Sequence, residues 1–191
     1  MTQNATDEEL MLAYAAGDAA AFDTLYARHR APIFRYVCRQ VPEDGIAEEI
    51  FQEIWMRVIN ARERYAASAK FTTWVYTIAH NRLMDHFRST DAKAGRIPLA
   101  VDGDQDDPVE AVPAPEADGP EWSLDRRRIA ERILDALDAL PAVQREAFVL
   151  QQEGGLTVEE IAAVTGVARE TAKSRLRYAL GKLRRDLKDM R

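Results

Sequence analysis

The sequence predicts an all-α protein: two helical domains joined by a flexible acidic linker. Three observations carry this. Apolar residues recur at helical spacing through both ends of the chain, and no stretch alternates long enough for a sheet. Residues 95–122 gather five of the eight prolines and three glycines among many acids. Such a stretch buries no core and propagates no helix, so it reads as a self-repelling linker. The expected organisation is an N-terminal domain at 1–90, a linker at 91–123 and a C-terminal domain at 124–191, sizes that single cores support.

Helix signals follow in order along the first domain. Thr6 and Glu9 have the spacing of a capping box, Leu10, Met11 and Tyr14 supply an apolar face, and Gly17 closes the segment. Asp18 suits the N-cap of a second helix carrying Phe22, Leu25 and Tyr26. Pro32 is expected to break or kink it before Ile33, Phe34, Tyr36 and Val37 continue. Residues 46–59 give the strongest periodicity: Ile46, Ile50, Ile54 and Val58 beside Ala47, Phe51, Trp55 and Ile59 form an i, i+4 double stripe. Glu48, Glu49, Gln52, Glu53 and Arg57 fall opposite. A helix near 71–88 is expected to bury Phe71, Val75, Ile78 and Leu83 and to leave a polar and aromatic face of Thr72, Thr73, Tyr76, Thr77, His80, Asn81 and Arg88.

In the second domain a helix at about 124–140 stops before Pro141. Another at 142–152 shows Val143, Ala147 and Leu150 on one face, with Phe148 and Val149 widening it, and Gly154–Gly155 ends it. Thr157 and Glu160 form a capping box that opens a short helix through Ile161, Ala162 and Val164. Gly166 supplies a tight turn, and a basic helix begins near Arg169. A short helix, a glycine turn and a longer basic helix make a helix-turn-helix.

Composition excludes several classes. The chain has 191 residues and one cysteine, Cys38, which has no intrachain disulfide partner and suits a reducing cytoplasm as a small apolar residue. No apolar run approaches the roughly 18 residues of a membrane-spanning helix, so no membrane insertion is expected. The acidic N-terminus lacks the order of a signal peptide. His29, His80 and His86 lack metal-ligand spacing, and no P-loop, G-x-S-x-G or dinucleotide-type glycine motif occurs. No catalytic residue, metal site or cofactor is therefore expected, and the chain does not read as an enzyme.

The formal net charge of −6 hides a segregation: residues 91–125 carry net −8, while 169–191 carry net +6. Phosphate responds to the local field, so the basic terminal helix is the informative part. Arg169, Glu170, Thr171, Lys173, Ser174, Arg175 and Arg177 lie on it. Arginine suits bidentate contact with guanine; lysine and serine are commoner at phosphates. The 65–88 segment interleaves aromatic with basic and hydrogen-bonding residues, a mixture suited to unpaired bases, although Phe71 and Trp74 by spacing alone suit a core. The acidic face at 48–53 suits either solvent or a basic protein partner.

With these motifs in order, the chain resembles an extracytoplasmic-function sigma factor of RNA polymerase, in the sigma-70 superfamily. The resemblance spans about 5–90 and 124–190. The family's D-A-E-D-L-x-Q-E stretch appears as Ile46-Ala47-Glu48-Glu49-Ile50-Phe51-Gln52-Glu53. Its aromatic minus-ten segment is matched by Phe71, Trp74, Val75, Ile78, Ala79, Asn81, Asp85 and Arg88. Its fourth-domain signature is matched by Leu156, Thr157, Glu159, Glu160, Ile161, Ala162, Gly166, Val167, Thr171, Lys173, Ser174, Arg175 and Leu176. Two residues depart from it. Ile46 replaces the usual first aspartate, and Ala168 stands where a serine often caps the recognition helix.

The resemblance implies that 1–90 is sigma domain 2 and 124–191 sigma domain 4. It implies binding to the polymerase core, at the largest subunit's clamp coiled coil through Glu48, Glu49, Gln52 and Glu53, and at the flap. Minus-ten DNA is expected at Lys70, Thr73, Trp74, Tyr76, Thr77, His80, Asn81 and Arg88. Minus-thirty-five DNA is expected at Arg169, Glu170, Thr171, Lys173, Ser174, Arg175 and Arg177. The linker would run near the active-site and RNA-exit channels, and an anti-sigma factor enters as a further partner. Two readings compete with a stress- or signal-responsive, cytoplasmic initiation factor. One is a stand-alone helix-turn-helix regulator, usually a dimer; the other is a sigma-like mimic that only sequesters an anti-sigma factor.

Overall fold

The computed structural model describes residues 5–93 and 122–188, all of whose regular elements are helical. The first group is α1 (Asp7–Ala15), α2 (Ala19–Gln40), α3 (Asp44–Ala61), a short 3-10 turn at Arg62–Arg64 and α4 (Phe71–Lys93). The second is α5 (Trp122–Asp138), α6 (Ala142–Gly154), α7 (Val158–Thr165) and α8 (Arg169–Asp186). The linker expected at 91–123 lies, over 94–121, outside the described residues.

The caps read from the sequence form as expected. Thr6 Oγ1 accepts from the Glu9 amide at 3.2 Å, and the Glu9 carboxylate accepts from the Thr6 amide at 2.9 Å, which opens α1. Asp18 accepts from the amides of Ala20 and Ala21 at 3.0 and 3.4 Å, opening α2. One cap was invisible to local reading: the Phe71 amide at the start of α4 donates 2.7 Å to Glu8 Oε1, 63 residues away. Pro32 does not break α2, which runs unbroken from Ala19 to Gln40. Burial on both sides of the proline, Ala21 and Leu25 before it and Ile33, Tyr36 and Val37 after it, holds the helix through the lost backbone hydrogen bond.

The stripe of α3 faces inward as its periodicity requires: Ala47, Ile50, Ile54, Trp55 and Val58 are buried, while Ile46, Phe51 and Ile59 are half-buried at its margins. Trp55 sits among Phe22, Tyr26 and Phe51, with ring centroids at 5.9, 4.9 and 6.4 Å. Burial also pushes the half-buried Cys38 thiol above its ordinary pKa, in keeping with a packing role.

Gly155, at φ +62°, ends α6, and Gly166, at φ +67°, makes the turn between α7 and α8. An L side chain seldom adopts that left-handed conformation, which explains glycine at the turn of the helix-turn-helix. The Thr157 box closes α7's N-terminus in both directions, at 2.8 and 3.3 Å. Thr157→Ala is expected to cost about 1 kcal/mol; the check is the urea midpoint at unchanged m-value. On α6, Val149 at 3% exposure is a full core residue and Val143 is only half-buried, so the inward face is rotated from the one the spacing suggested.

One result was not legible in the sequence. The two groups of helices share a continuous core: α6 packs on α2, and α7 on α4. A single cluster runs from Leu10 through Tyr36, Val58 and Tyr76 to Leu150, Ile161 and Ala172. A smaller cluster of Ala136, Leu137, Leu140, Ala179 and Leu183 joins α5 to α8.

Candidate nucleic-acid and protein interfaces

Three surfaces emerge from this frame. The first is the outer face of α3. Because the apolar stripe faces inward, Glu48, Glu49 and Gln52 point to solvent, and Met56 beside them is 54% exposed. Glu53 is held differently. Arg82 of α4 clasps its carboxylate, with Nη2 3.3 Å from Oε1, and this hydrogen bonding holds Glu53 below the usual carboxylate range. One of the four acidic-face residues is thus tied to α4, a restraint that helix periodicity alone does not reveal.

The second is α4 with the turn before it. Asn81 and Arg88 are exposed, and Arg88 lies 3.3 Å from Asp85 in the same helix. Thr73 and Thr77 are half-buried, and the Thr77 hydroxyl donates 2.8 Å to the Thr73 carbonyl. Trp74 is half-buried against Tyr65, at 5.0 Å, and Phe71, at 5.9 Å, so the spacing that suited a core is partly realised. Tyr76 departs from expectation. It is 1% exposed and meets Tyr36 edge-on at 5.4 Å, and burial raises its pKa. The expected polar and aromatic face of α4 is therefore covered at Tyr76, because α6 packs across it. Ile78, expected in the core, is half-buried. Lys70 and His80 also engage the second group of helices: Lys70 Nζ lies 3.0 Å from Glu160, and His80 Nδ1 lies 2.7 Å from Glu146.

The third is α8. Ala172, Leu176, Ala179 and Leu183 are its buried stripe, so Glu170, Ser174 and Arg177 face away from the core. Arg169 is exposed at the first turn, where Glu159 and Glu170 accept from it at 2.6 and 2.9 Å. Lys173 is exposed, whereas Thr171, Ser174, Arg175 and Arg177 are half-buried. The Ser174 hydroxyl is turned back onto the Glu170 carbonyl at 2.8 Å, and the Arg177 guanidinium lies 5.0 Å over the Tyr178 ring. Ala168, at the N-cap, makes no side-chain cap, as its identity dictates.

Sequence reasoning missed a fourth feature. An apolar groove between α5 and α8 is lined by Ile133, Leu137, Phe148, Leu180, Leu183 and Leu187, with Arg184, Arg185 and Lys188 beside them. Ile133 remains 37% exposed there, and Ile129, one turn earlier on α5, is 38% exposed. Their i, i+4 spacing on α5 was the available signal. No helix among the described residues is long and apolar enough to cross a membrane.

Comparison with known proteins places these surfaces in context. The family described as Sigma-70 region 2 matches residues 25–93, and Sigma-70, region 4 matches 130–183. The chain is 34% identical over 171 residues to the RNA polymerase sigma factor CarQ of Myxococcus xanthus, covering 88% of this chain and 90% of that protein. It is 33% identical over 181 residues to the ECF RNA polymerase sigma factor SigK of Mycobacterium tuberculosis (strain ATCC 25177 / H37Ra), covering 94% and 92%. Two solved structures share the fold. One is CnrH in complex with the cytosolic domain of CnrY, at TM-score 0.66, 21% identity and coverage of 96% and 97%. The other is RpoE in complex with the anti-sigma factor NepR from Bartonella quintana, at TM-score 0.65, 22% identity and coverage of 89% and 98%.

Proposed function

This chain belongs to the sigma-70 family, in its extracytoplasmic-function class, and we propose that it directs RNA polymerase to promoters through separate surfaces on α3, α4 and α8. As a sigma factor it initiates transcription at specific promoters by binding core polymerase and promoter DNA. The proposal concerns which residues act, and the one observation that carries it is the α7–Gly166–α8 unit. It presents Arg169, Glu170 and Lys173 exposed at the start of a basic helix, the end that enters a major groove.

Glu48, Glu49, Gln52 and Glu53 are assigned to the clamp coiled coil of the polymerase. Their support is a carboxylate-rich face left free because its opposite side fills the core. The flap is assigned to the groove between α5 and α8, an apolar surface bordered by Arg184, Arg185 and Lys188 that suits an apolar helix with acidic flanks. Lys70, Thr73, Trp74, Thr77, His80, Asn81 and Arg88 are assigned to the minus-ten strand. Tyr76 is assigned there only in an arrangement that frees α4 from α6. Arg169, Glu170, Thr171, Lys173, Ser174, Arg175 and Arg177 are assigned to minus-thirty-five duplex. An anti-sigma factor is a further partner, supported by the fold shared with RpoE, which was solved in complex with the anti-sigma factor NepR. Members of this family regulate without catalysis, and no catalytic residue is assigned.

Run-off transcription with core polymerase, with and without the chain, tests the reading. Promoter-specific transcripts only in its presence are expected; duplex binding with no effect on core would favour a stand-alone regulator. Replacing Glu49 and Glu53 together with lysine is expected to weaken co-purification with core at unchanged helicity. The Glu53 change also frees Arg82, so Glu49→Lys alone serves as the cleaner arm. Unchanged binding by both would remove α3 as the clamp site.

A further inference from the structure

α4 begins without a cap of its own. The first amides of a helix lack intrahelical partners and are usually met by a nearby side-chain oxygen. Lys70, immediately before the helix, carries donors only, and no acidic residue lies in the first turn. The missing acceptor comes from the first turn of α1, where Glu8 Oε1 takes the Phe71 amide at 2.7 Å. That carboxylate also sets a negative charge at the positive end of the α4 dipole. Asp7, the residue before it, binds α2 instead: Arg28 Nη1 lies 2.8 Å from Oδ1 and His29 Nε2 2.6 Å from Oδ2. Arg28 Nη1 also donates 2.9 Å to the Ala5 carbonyl. Two successive acids thus tie one turn of α1 to α2 and to the start of α4. The Phe71 ring completes the joint. It is fully buried, 5.1 Å from the His29 ring, 5.9 Å from Trp74 and 6.4 Å from Tyr65.

We propose that Glu8 is a positioning residue for strand opening, holding the first turn of α4 in the place from which Lys70, Thr73 and Trp74 meet unpaired bases. This role rests on the assignment of α4 to the minus-ten strand. Glu8 acts through Phe71 rather than by contact with a base. Lys70 and Thr73 flank the Phe71 amide, and the Trp74 amide closes the first turn on the Lys70 carbonyl at 3.1 Å. A frayed first turn would therefore release all three together. Stacking is strongest on a ring already held when the base arrives, since ordering a side chain on binding weakens capture. Trp74 is half-buried against Tyr65 at 5.0 Å, so its ring is fixed on one side and depends on the helix backbone for its placement. The rest of α1 has the form of a rigid support. Its own N-terminus is closed by the Thr6–Glu9 box, and Leu10 and Met11 are buried in the core.

The test sets four variants of the full-length chain beside Asn81→Ala. Glu8→Ala removes the acceptor. Glu8→Asp keeps the charge and shortens the reach by one methylene. Glu8→Gln loses the charge and keeps an oxygen at the same reach. Glu9→Ala breaks only the α1 box. Amide hydrogen exchange on the free chain, followed by nuclear magnetic resonance, reads the cap. Permanganate reactivity of unpaired thymines, with holoenzyme on a duplex promoter found by run-off transcription, reads opening. Glu8→Ala and Glu8→Asp should quicken exchange at Phe71 and Trp74 and lower opening, each about fivefold, the factor of one lost cap. Closed-complex affinity should stay at wild type. Glu8→Gln should restore both readings, and Glu9→Ala should open promoters normally. Wild-type opening by Glu8→Ala and Glu8→Asp, beside impaired Asn81→Ala, overturns the positioning role. So does an equal loss in Glu9→Ala, or no recovery in Glu8→Gln. Normal opening by Asn81→Ala and the Glu8 variants alike overturns the assignment of α4 itself.

Discussion

Trp55→Ala should lower the unfolding free energy by about 3–5 kcal/mol, the range for truncating a buried aromatic. Trp55 is 4% exposed and fixes three other rings, from α2 and from its own helix, at the centre of the first group of helices. Its removal takes away the edge-on partner of Phe22, Tyr26 and Phe51 and leaves a cavity among them. Against a typical total of about 5–15 kcal/mol the loss is large, and helicity is expected to vanish at much lower urea. Met56→Ala, one residue on and 54% exposed, is expected to stay within about 0.5 kcal/mol of wild type. Paired urea melts followed by far-ultraviolet circular dichroism make the comparison, and equal midpoints would place the α3 stripe wrongly. The pair also explains why a polymerase-binding test belongs on Glu49 rather than Trp55: a residue that holds the core confuses loss of docking with loss of fold.

The second large effect separates the two DNA surfaces. Arg175→Ala should weaken the closed promoter complex by about 1–3 kcal/mol if the guanidinium reads a base edge. A template with a pre-melted bubble should not restore it, because the lost contact is to duplex. Asn81→Ala should leave duplex docking near normal and impair opening, and the bubble should restore much of its activity. Asn81 is exposed on α4, so its truncation leaves no core cavity; Trp74, wedged against Tyr65 and Phe71, would be a poor substitute. Abortive transcription on matched duplex and bubble templates, with helicity as control, is the measurement. Rescue of both variants, or of neither, would mean the surfaces are assigned wrongly.

Local signals in this chain were decisive wherever the interaction lies within a turn or two. The boxes at Thr6 and Thr157, the Asp18 cap, the left-handed Gly166 and the double stripe of α3 each involve partners two to four residues apart, so the sequence prints both members side by side. Pro32 sits inside α2 without ending it because the cost of a missing backbone bond is local, whereas the burial that offsets it comes from several other helices. On α6, Val149, expected only to widen the apolar face, is buried and Val143 is half-buried, because the helix is apolar over a broad arc and its neighbours selected which part faces inward.

By itself the sequence determined the all-helical class, the helix-turn-helix, the acidic face of α3 and the resemblance to sigma factors. All of these follow from periodicity, capping and residue type, which are properties of neighbours along the chain. Only the tertiary structure decided that Glu8 caps α4, that Arg82 holds Glu53, that Tyr76 is buried, and that Glu146 joins Tyr36 to His80. Those partners are 63, 29, 110 and 66 residues apart for Glu8–Phe71, Glu53–Arg82, Tyr36–Glu146 and His80–Glu146. A charged or hydroxylated residue on a helix face looks the same in sequence whether it meets water or another helix. Its fate is set by which faces pack together, and packing sums apolar burial over the whole chain rather than over any one segment.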